Sequence, residues 1–318
     1  MSKYTLDFEE PIKLLEEKIL NIENSPIANN SDLNDSLTSL RFQLENKKKE
    51  IYDNLTRWQQ IQIARHPLRP HSSDYINNLC SSWLELHGDR KYSDDPSILT
   101  GLSKIDNIRC IIIGQEKGRS TKDKMYRNFG MVKPECYRKA LRVMKIAEKF
   151  NLPIITFIDT PGAYPGIGAE ERGQSQAIAD NLFNMARLKV PIISIVIGEG
   201  ASGGALAIGL SDKIICLEYT WYSVISPEGC ASILFHDTSK SQEAADSMKV
   251  CSQDLVNMGI ADRLIKEPLG GVHHDPLFVY DNMKSIIIEE IESLFTLSKD
   301  DLIQNRLEKF NSMGVLNK

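Results

Sequence analysis

Hydrophobic positions in the first 65 residues recur at helical spacing. Ile12, Leu15, Ile19 and Ile22 fall three and four apart; after a polar stretch over 26–35 that predicts a turn, Leu33, Leu37, Leu40, Leu44, Ile51, Leu55 and Trp58 continue at heptad spacing, with Lys47 in the skipped position. Two apolar stripes on a charged background predict a helical hairpin or arm over residues 1–65, packed on its own body. The run Arg65-His66-Pro67-Leu68-Arg69-Pro70-His71, with its two prolines, ends the helix and opens residues 66–318. There the pattern changes. Short continuous apolar runs at Arg109–Ile113, Ile154–Ile158, Ile192–Ile197, Lys213–Leu217 and Ser223–Ile225 predict buried strands. Amphipathic stretches near 134–150, 172–188, 202–210, 241–258 and 277–295 predict helices, with a further short one over 298–313. This alternation is that of an α/β fold.

One repeat sharpens the picture. Leu152-Pro-Ile-Ile-Thr-Phe-Ile-Asp-Thr-Pro-Gly162 aligns with Val190-Pro-Ile-Ile-Ser-Ile-Val-Ile-Gly-Glu-Gly200 at an offset of 38 residues. Each copy is a buried strand running into a glycine segment and then a helix. Such units stack their strands in parallel, so both glycine segments are expected at the carboxyl ends of neighbouring strands, where α/β proteins hold ligands.

Composition excludes several classes. The chain is 42% hydrophobic and 25% charged, as in an ordinary soluble domain, and its net charge of −5 argues against a general nucleic-acid binder. No apolar run reaches membrane-span length, and the N-terminus lacks the apolar core of a secretory signal. The six cysteines form no C-x-x-C pair. They read as reduced thiols of a cytoplasmic protein rather than as a zinc site.

The candidate chemistry concentrates in Pro191–Gly209, where three signatures overlap. Gly198-Glu199-Gly200-Ala201-Ser202-Gly203 fits G-x-G-x-x-G, with Glu218 placed as a ribose-binding acid, but the helix that follows is short and glycine-rich for a dinucleotide fold. Gly200-Ala201-Ser202-Gly203-Gly204 fits the G-x-S-x-G elbow of a serine hydrolase, with Asp212, Asp246 or Asp262 and His236 or His273 as possible partners. Ser202, however, is expected five residues beyond its strand, as a helix-start serine. The third reading is a bare oxyanion hole, in which adjacent glycines leave two N–H donors facing a developing negative charge; it needs no nucleophile and no base. Elsewhere, Lys117-Gly-Arg119-Ser-Thr-Lys122-Asp-Lys124-Met-Tyr-Arg127 is a basic loop suited to phosphates or simply a solvated surface. Glu170 and Glu171 read as helix-start acids, and His273-His274 as loop histidines.

Longer strings carry a resemblance. ARHPLRP (64–70), GDRKYSDD (88–95), KGRSTK (117–122), RNFGM (127–131), PIITFIDTPGAYPGIGAEERGQS (153–175), VIGEGASGGALAIG (196–209), YSVISPEGCASIL (222–234) and EPLGGVHHDP (267–276) resemble the carboxyltransferase alpha subunits of bacterial and plastid-type acetyl-CoA carboxylase. The match covers nearly the whole chain, arm included. The resemblance implies a crotonase-like (ClpP/crotonase) superhelix of strand-strand-helix units behind the N-terminal arm. It implies carboxyl transfer from carboxybiotin, borne on a biotin carboxyl carrier protein that biotin carboxylase serves, to acetyl-CoA. The product is malonyl-CoA, for fatty-acid synthesis. The family works as an α2β2 complex whose zinc belongs to the beta subunit. In that frame the N–H groups around Gly203, Gly204 and Ala205 hold the ureido oxygen of biotin, Gly166 and Gly168 line the same cavity, and no side-chain base is required. Contact of Lys117, Arg119 and Lys122 with the coenzyme A phosphates is inferred from charge. The chain departs from the family at Ala201, where glycine is expected and positive φ is now disfavoured, at Cys136, and at His274.

Overall fold

The computed structural model describes residues 4–24 and 31–314. Eight strands form one mixed sheet: β1 (Ser82–Glu85), β2 (Ile98–Ile105), β3 (Ile108–Gln115), β4 (Ile154–Thr160), β5 (Ile192–Ala201), β6 (Lys213–Leu217), β7 (Trp221–Ser223) and β8 (Arg263–Ile265). Their order is β1-β2-β3-β4-β5-β6-β8, and β7 pairs β5 beyond the reach of β6. β1 to β3 are antiparallel; from β3 onward the pairing is parallel.

The repeat is realised as lateral pairing. Ile154 pairs Ile192, and each residue through Ile158 and Val196 pairs its counterpart at the same offset. Successive side chains alternate between two cores, as strand geometry requires. Ile154, Ile158, Ile192, Val196, Ile214 and Cys216 face the helices Pro134–Lys149 and Gln174–Met185. Ile155, Phe157, Ile193, Ile195, Ile215 and Leu217 face the helices Ser72–Leu79 and Pro276–Phe295.

The helices predicted beyond the arm begin and end near their expected positions, with two exceptions, while Ser72–Leu79, Thr121–Tyr126, Ile167–Glu171 and Pro227–Phe235 were not anticipated. The predicted helix 241–258 is two helices, Ser241–Met248 and Ser252–Asn257, broken where Lys249 takes φ +51°. The segment 202–210 holds only a short helix, Ser202–Leu206. The strand expected at 223–225 lies two residues earlier, at β7. Three strands have no counterpart in the apolar runs: β1, β2 and β8. β1 is half-exposed, β2 carries Thr, Gly, Ser and Lys among its apolar residues, and β8 has three residues.

The arm is a helical pair, Glu10–Glu23 against Ser31–Tyr52. Part of the turn expected over 26–35 lies outside the described residues, and the second helix has begun by Ser31. Ile12, Ile19, Leu37 and Leu44 close its seam, which continues into Ile63 and Tyr219 of the body. The next helix, Arg57–Ala64, buries Ile61 and Ala64 against Ala201, Trp221 and Ala245 and so packs with the body. Where arm meets body, His66 and His273 stack at 3.9 Å and His273 and His274 lie 4.4 Å apart. Burial, then the neighbouring His66, His274 and Arg69, push His273 down to about 2.

The C-terminal helix Lys299–Ser312 is fastened by Arg306. Its guanidinium bonds both carboxylate oxygens of Asp212 (2.8 and 2.7 Å) and the carbonyls of Met185, Leu188 and Val190. All of its N–H donors are used, out of contact with water. Replacing Arg306 with Met strands a buried carboxylate and three carbonyls. We expect a loss of about 3–5 kcal/mol in urea unfolding. The histidine seam carries a pH signature. A histidine neutral when folded but protonating near pH 6.5 when unfolded costs stability as pH falls below that value, by about 1 kcal/mol per unit. His273→Gln is expected to flatten the dependence of unfolding free energy on pH between 6.5 and 5.5.

Candidate active site

The site begins with a length difference. β5 does not end at Ile197: it runs through Gly198, Glu199, Gly200 and Ala201, and β7 pairs the last three. Gly198 therefore belongs to a strand, and its role is close approach. A Cβ there would stand 2.4 Å from Oδ1 of Asp159, the residue near the end of β4. That carboxylate accepts the Glu199 N–H at 3.0 Å and lies 2.6 Å from Lys117 Nζ. Lys117 also holds Glu199 Oε2 at 2.6 Å; Arg65 holds Glu199 Oε1 and then Glu228, each at 2.5 Å. Burial alone would raise Glu199, but Lys117 and Arg65 hold it below the ordinary carboxylate range. By the converse attraction, Lys117 is raised despite its burial. These charges are locked together as a structural cluster, and neither acid is a free base.

Beyond Ala201 the chain turns sharply. Ser202 follows the strand directly, with φ +57°. Ser202 was expected five residues past its strand and inside a helix start; it does open the helix Ser202–Leu206, but directly after β5, and its positive φ gives the strained turn of a nucleophile elbow. No acid–histidine hydrogen-bond chain reaches it among the described residues. No hydrogen bond to the Ser202 side chain occurs among the described residues. Asp212 is bound to Arg306, Asp262 to Lys309, and His273 lies in the arm seam. The dinucleotide reading fails for a related reason. Its first two glycines, Gly198 and Gly200, are in β5, the helix is five residues long, and Glu218 is taken by Lys266 and the Glu267 N–H. Ala201 sits at φ −105°, so the positive φ falls on Ser202 and the alanine is unstrained.

The segment after Ser202 is gripped from below. Gln115 Nε2 donates to the Gly204 carbonyl at 2.7 Å, and its Oε1 accepts the Asp159 N–H at 3.1 Å. Asn181 donates to the Ala207 carbonyl, and Thr156 and Ser194 to that of Ile208. A Cβ on Gly204 would meet Gly162 C at 2.5 Å and Ala163 N at 2.7 Å, so the two glycine segments touch backbone to backbone there. A Cβ on Gly203 would meet only Ile178, at 3.4 Å. Gly203, Gly204 and Ala205 are thus contiguous at a fixed helix start whose first N–H groups have no intrahelical acceptor. Gly166 caps the neighbouring helix Ile167–Glu171, which contains Gly168; Gly162 and Ala163, not these two, make the contact with Gly204.

The basic loop is more ordered than expected. It contains a helix, Thr121–Tyr126, capped by Ser120. Arg119 pairs with Asp74 and Arg127 with Asp123, while Lys122 is exposed without an ion-pair partner among the described residues. Gln115, Asn181, Thr156 and Ser194 went unremarked in the sequence. Only the position of Gln115, at the end of an apolar run, hinted at a buried amide with a task.

The fold is shared with enzymes that move carboxyl groups. The chain superposes on a crotonase-fold chain of transcarboxylase 12S, solved with methylmalonyl-coenzyme A, with a TM-score of 0.58 at 18% identity, over 72% of this chain and 42% of that one. It superposes on a chain of the Pseudomonas malonate decarboxylase hetero-tetramer, solved with coenzyme A, with a TM-score of 0.59 at 16% identity, over 75% and 94%. The fold is of the crotonase type. Residues 5–314 match the family described as acetyl co-enzyme A carboxylase carboxyltransferase-like. The acetyl-coenzyme A carboxylase carboxyl transferase subunit alpha of Xanthomonas campestris is 50% identical over 315 residues, 99% of each chain. That of Chlorobium phaeobacteroides is 49% identical over 330 residues, 99% of this chain and 98% of its own. The chain belongs to this family of alpha subunits, and its activity is that of a carboxyl-transferring enzyme.

Gln115 acts on the site through the Gly204 peptide. Gln115→Glu keeps the acceptor for Asp159 N–H and loses the donor to Gly204. We expect kcat to fall roughly tenfold to hundredfold with KM for the thioester nearly unchanged, in steady-state assays of the assembled enzyme.

Proposed function

We propose that this chain forms one wall of a composite site in an α2β2 carboxyltransferase, cytoplasmic in location, whose other wall is a zinc-bearing beta subunit. There a carboxyl group passes from biotin on its carrier protein to acetyl-CoA, giving malonyl-CoA for fatty-acid synthesis; biotin carboxylase reloads the carrier. The observation that carries this reading is the gripped, side-chain-free helix start at Gly203–Ala205. Bound there, biotin supplies an activated carboxyl group. This chain's part is to point backbone N–H donors from Gly203, Gly204 and Ala205 at an oxygen that gains negative charge, each worth roughly 10²–10³ in rate. The residues fit such a group: Gly203 leaves its face open, and the donors are fixed before the reaction by the contacts of Gln115, Asn181 and the Gly162–Ala163 backbone. No base is assigned, because Asp159 and Glu199 are neutralised by Lys117 and Arg65. Gly166 and Gly168 border the cavity through the helix they begin.

Arg119 and Lys122 are proposed as the coenzyme A phosphate contacts. Lys117 supports the site from within, since its ammonium is already shared by Asp159 and Glu199. The solved hetero-tetramer with coenzyme A is consistent with a two-chain site. Ile167, Val224, Ile233 and Leu234, from the segments that follow β4 and β7, are exposed at 62–80% of their surface, which suits coverage by a second subunit. Among the described residues no helix is long and apolar enough to cross a membrane.

Malonyl-CoA formation from acetyl-CoA and carboxylated carrier is expected only when this chain and its partner are both present. Within that assembly Ser202→Ala retains activity within a few-fold. Gly203→Val folds and assembles but loses activity by about 10² or more. Gly203 is the better target than Gly204, because a side chain at 204 collides with backbone. An inactive Ser202→Ala enzyme, or full activity in Gly203→Val, would overturn the assignment.

A further inference from the structure

The sheet carries a second feature at its edge, remote in strand order from β5. β1, β2 and β3 floor a groove walled by the end of the helix Pro134–Lys149, and Leu84, Leu102, Ile146 and Phe150 make it apolar. Leu84 and Phe150 are 60% and 62% exposed. At one end stand two cations. Lys104 and Arg109 are direct partners in the β2–β3 register, so they project side by side from one face. Like charges placed so repel each other. Among the described residues neither has an ion-pair partner. The nearby acids are directed elsewhere. Glu85 alternates to the opposite face and lies 3.8 Å from His87, Asp106 lies 3.6 Å from Lys284, and Glu148 accepts the Lys189 N–H. An apolar trough ending in an uncompensated pair of cations is complementary to a hydrocarbon tail with an anionic head.

We propose that this groove binds a free single-chain amphiphilic carboxylate, its tail along Leu84, Leu102, Ile146 and Phe150 and its head between Lys104 and Arg109. The recess between helix and strands takes one chain, not a bilayer surface. The site is independent of the reaction assigned above, and its variants lie outside the catalytic wall.

The test is calorimetric titration of the full chain with dodecanoate below its micelle concentration, beside dodecanol, butyrate and phosphatidylglycerol vesicles. One molecule of dodecanoate per chain is expected, with dodecanol and butyrate weaker by roughly tenfold or more and vesicles not bound. Lys104→Gln with Arg109→Gln is expected to weaken dodecanoate by roughly tenfold or more while leaving the melting temperature equal or higher, because a repulsion is relieved. Leu84→Ser, which shortens the tail site and adds no charge beside Lys104, is expected to weaken it likewise. Equal affinity in the charge variant, equal affinity for dodecanol, or binding to vesicles overturns the proposal. So does loss of binding on adding the partner subunit, since the groove is then a subunit contact. Malonyl-CoA formation, measured on the same variants, is expected at the wild-type rate.

Discussion

A carboxylate occupies the space where residue 198 would have a side chain. Asp159, near the end of β4, reaches across to β5, takes the Glu199 N–H and holds Lys117. Because β4 and β5 pair in constant register up to Ile158, this contact fixes how far the two strand ends project. The register then shifts, Thr160 meeting Gly200, and the two glycine segments come into backbone contact at Gly204 and Gly162. Without the glycine at 198 the carboxylate has no room. Without the carboxylate, Lys117 loses one of its two acids and the Glu199 N–H loses its acceptor. The short helix at 202–206, too brief to be stable alone, inherits its position from this junction and from the side chains beneath it.

Those side chains make the site rigid in a particular way. Each grips a carbonyl: Gln115 that of Gly204, Asn181 that of Ala207, Thr156 and Ser194 that of Ile208. The carbonyls of the segment are tied into the core, while the N–H groups that open its helix have no acceptor within that helix. A peptide fixed through its oxygen presents its N–H in one direction, which is the preorganisation an oxyanion contact requires. The polar residues are buried and paired, as polar groups in a dry core must be.

Much of this was legible in the sequence. The offset between residues 152–162 and 190–200 gave the parallel pairing residue for residue from Ile154 to Ile158, because two buried strands of the same pattern pack alike. The helices over 134–149 and 276–295 followed from their apolar spacing. What the pattern hid was set by contacts distant in sequence. Nothing near Ile197 reveals that the strand continues, since β7 supplies the pairing and Asp159 the reason for Gly198. Ser202 was misplaced as a direct result. Lys117 looked like a surface cation because its two acids lie 42 and 82 residues away. The break at Lys249 depends on a left-handed residue that no glycine announced.

The fastening at Arg306 bears on the order in which the molecule can be completed. The carbonyls of Met185, Leu188 and Val190 lie just before β5 and the carboxylate of Asp212 just before β6, in the middle of the chain. Their donor is made more than ninety residues later. A ribosome delivers the wall formed at the end of β5 long before it delivers the group that satisfies the turn leading into it. During synthesis that turn must keep water on its carbonyls, and the wall reaches its final packing only when the last helix emerges and displaces it.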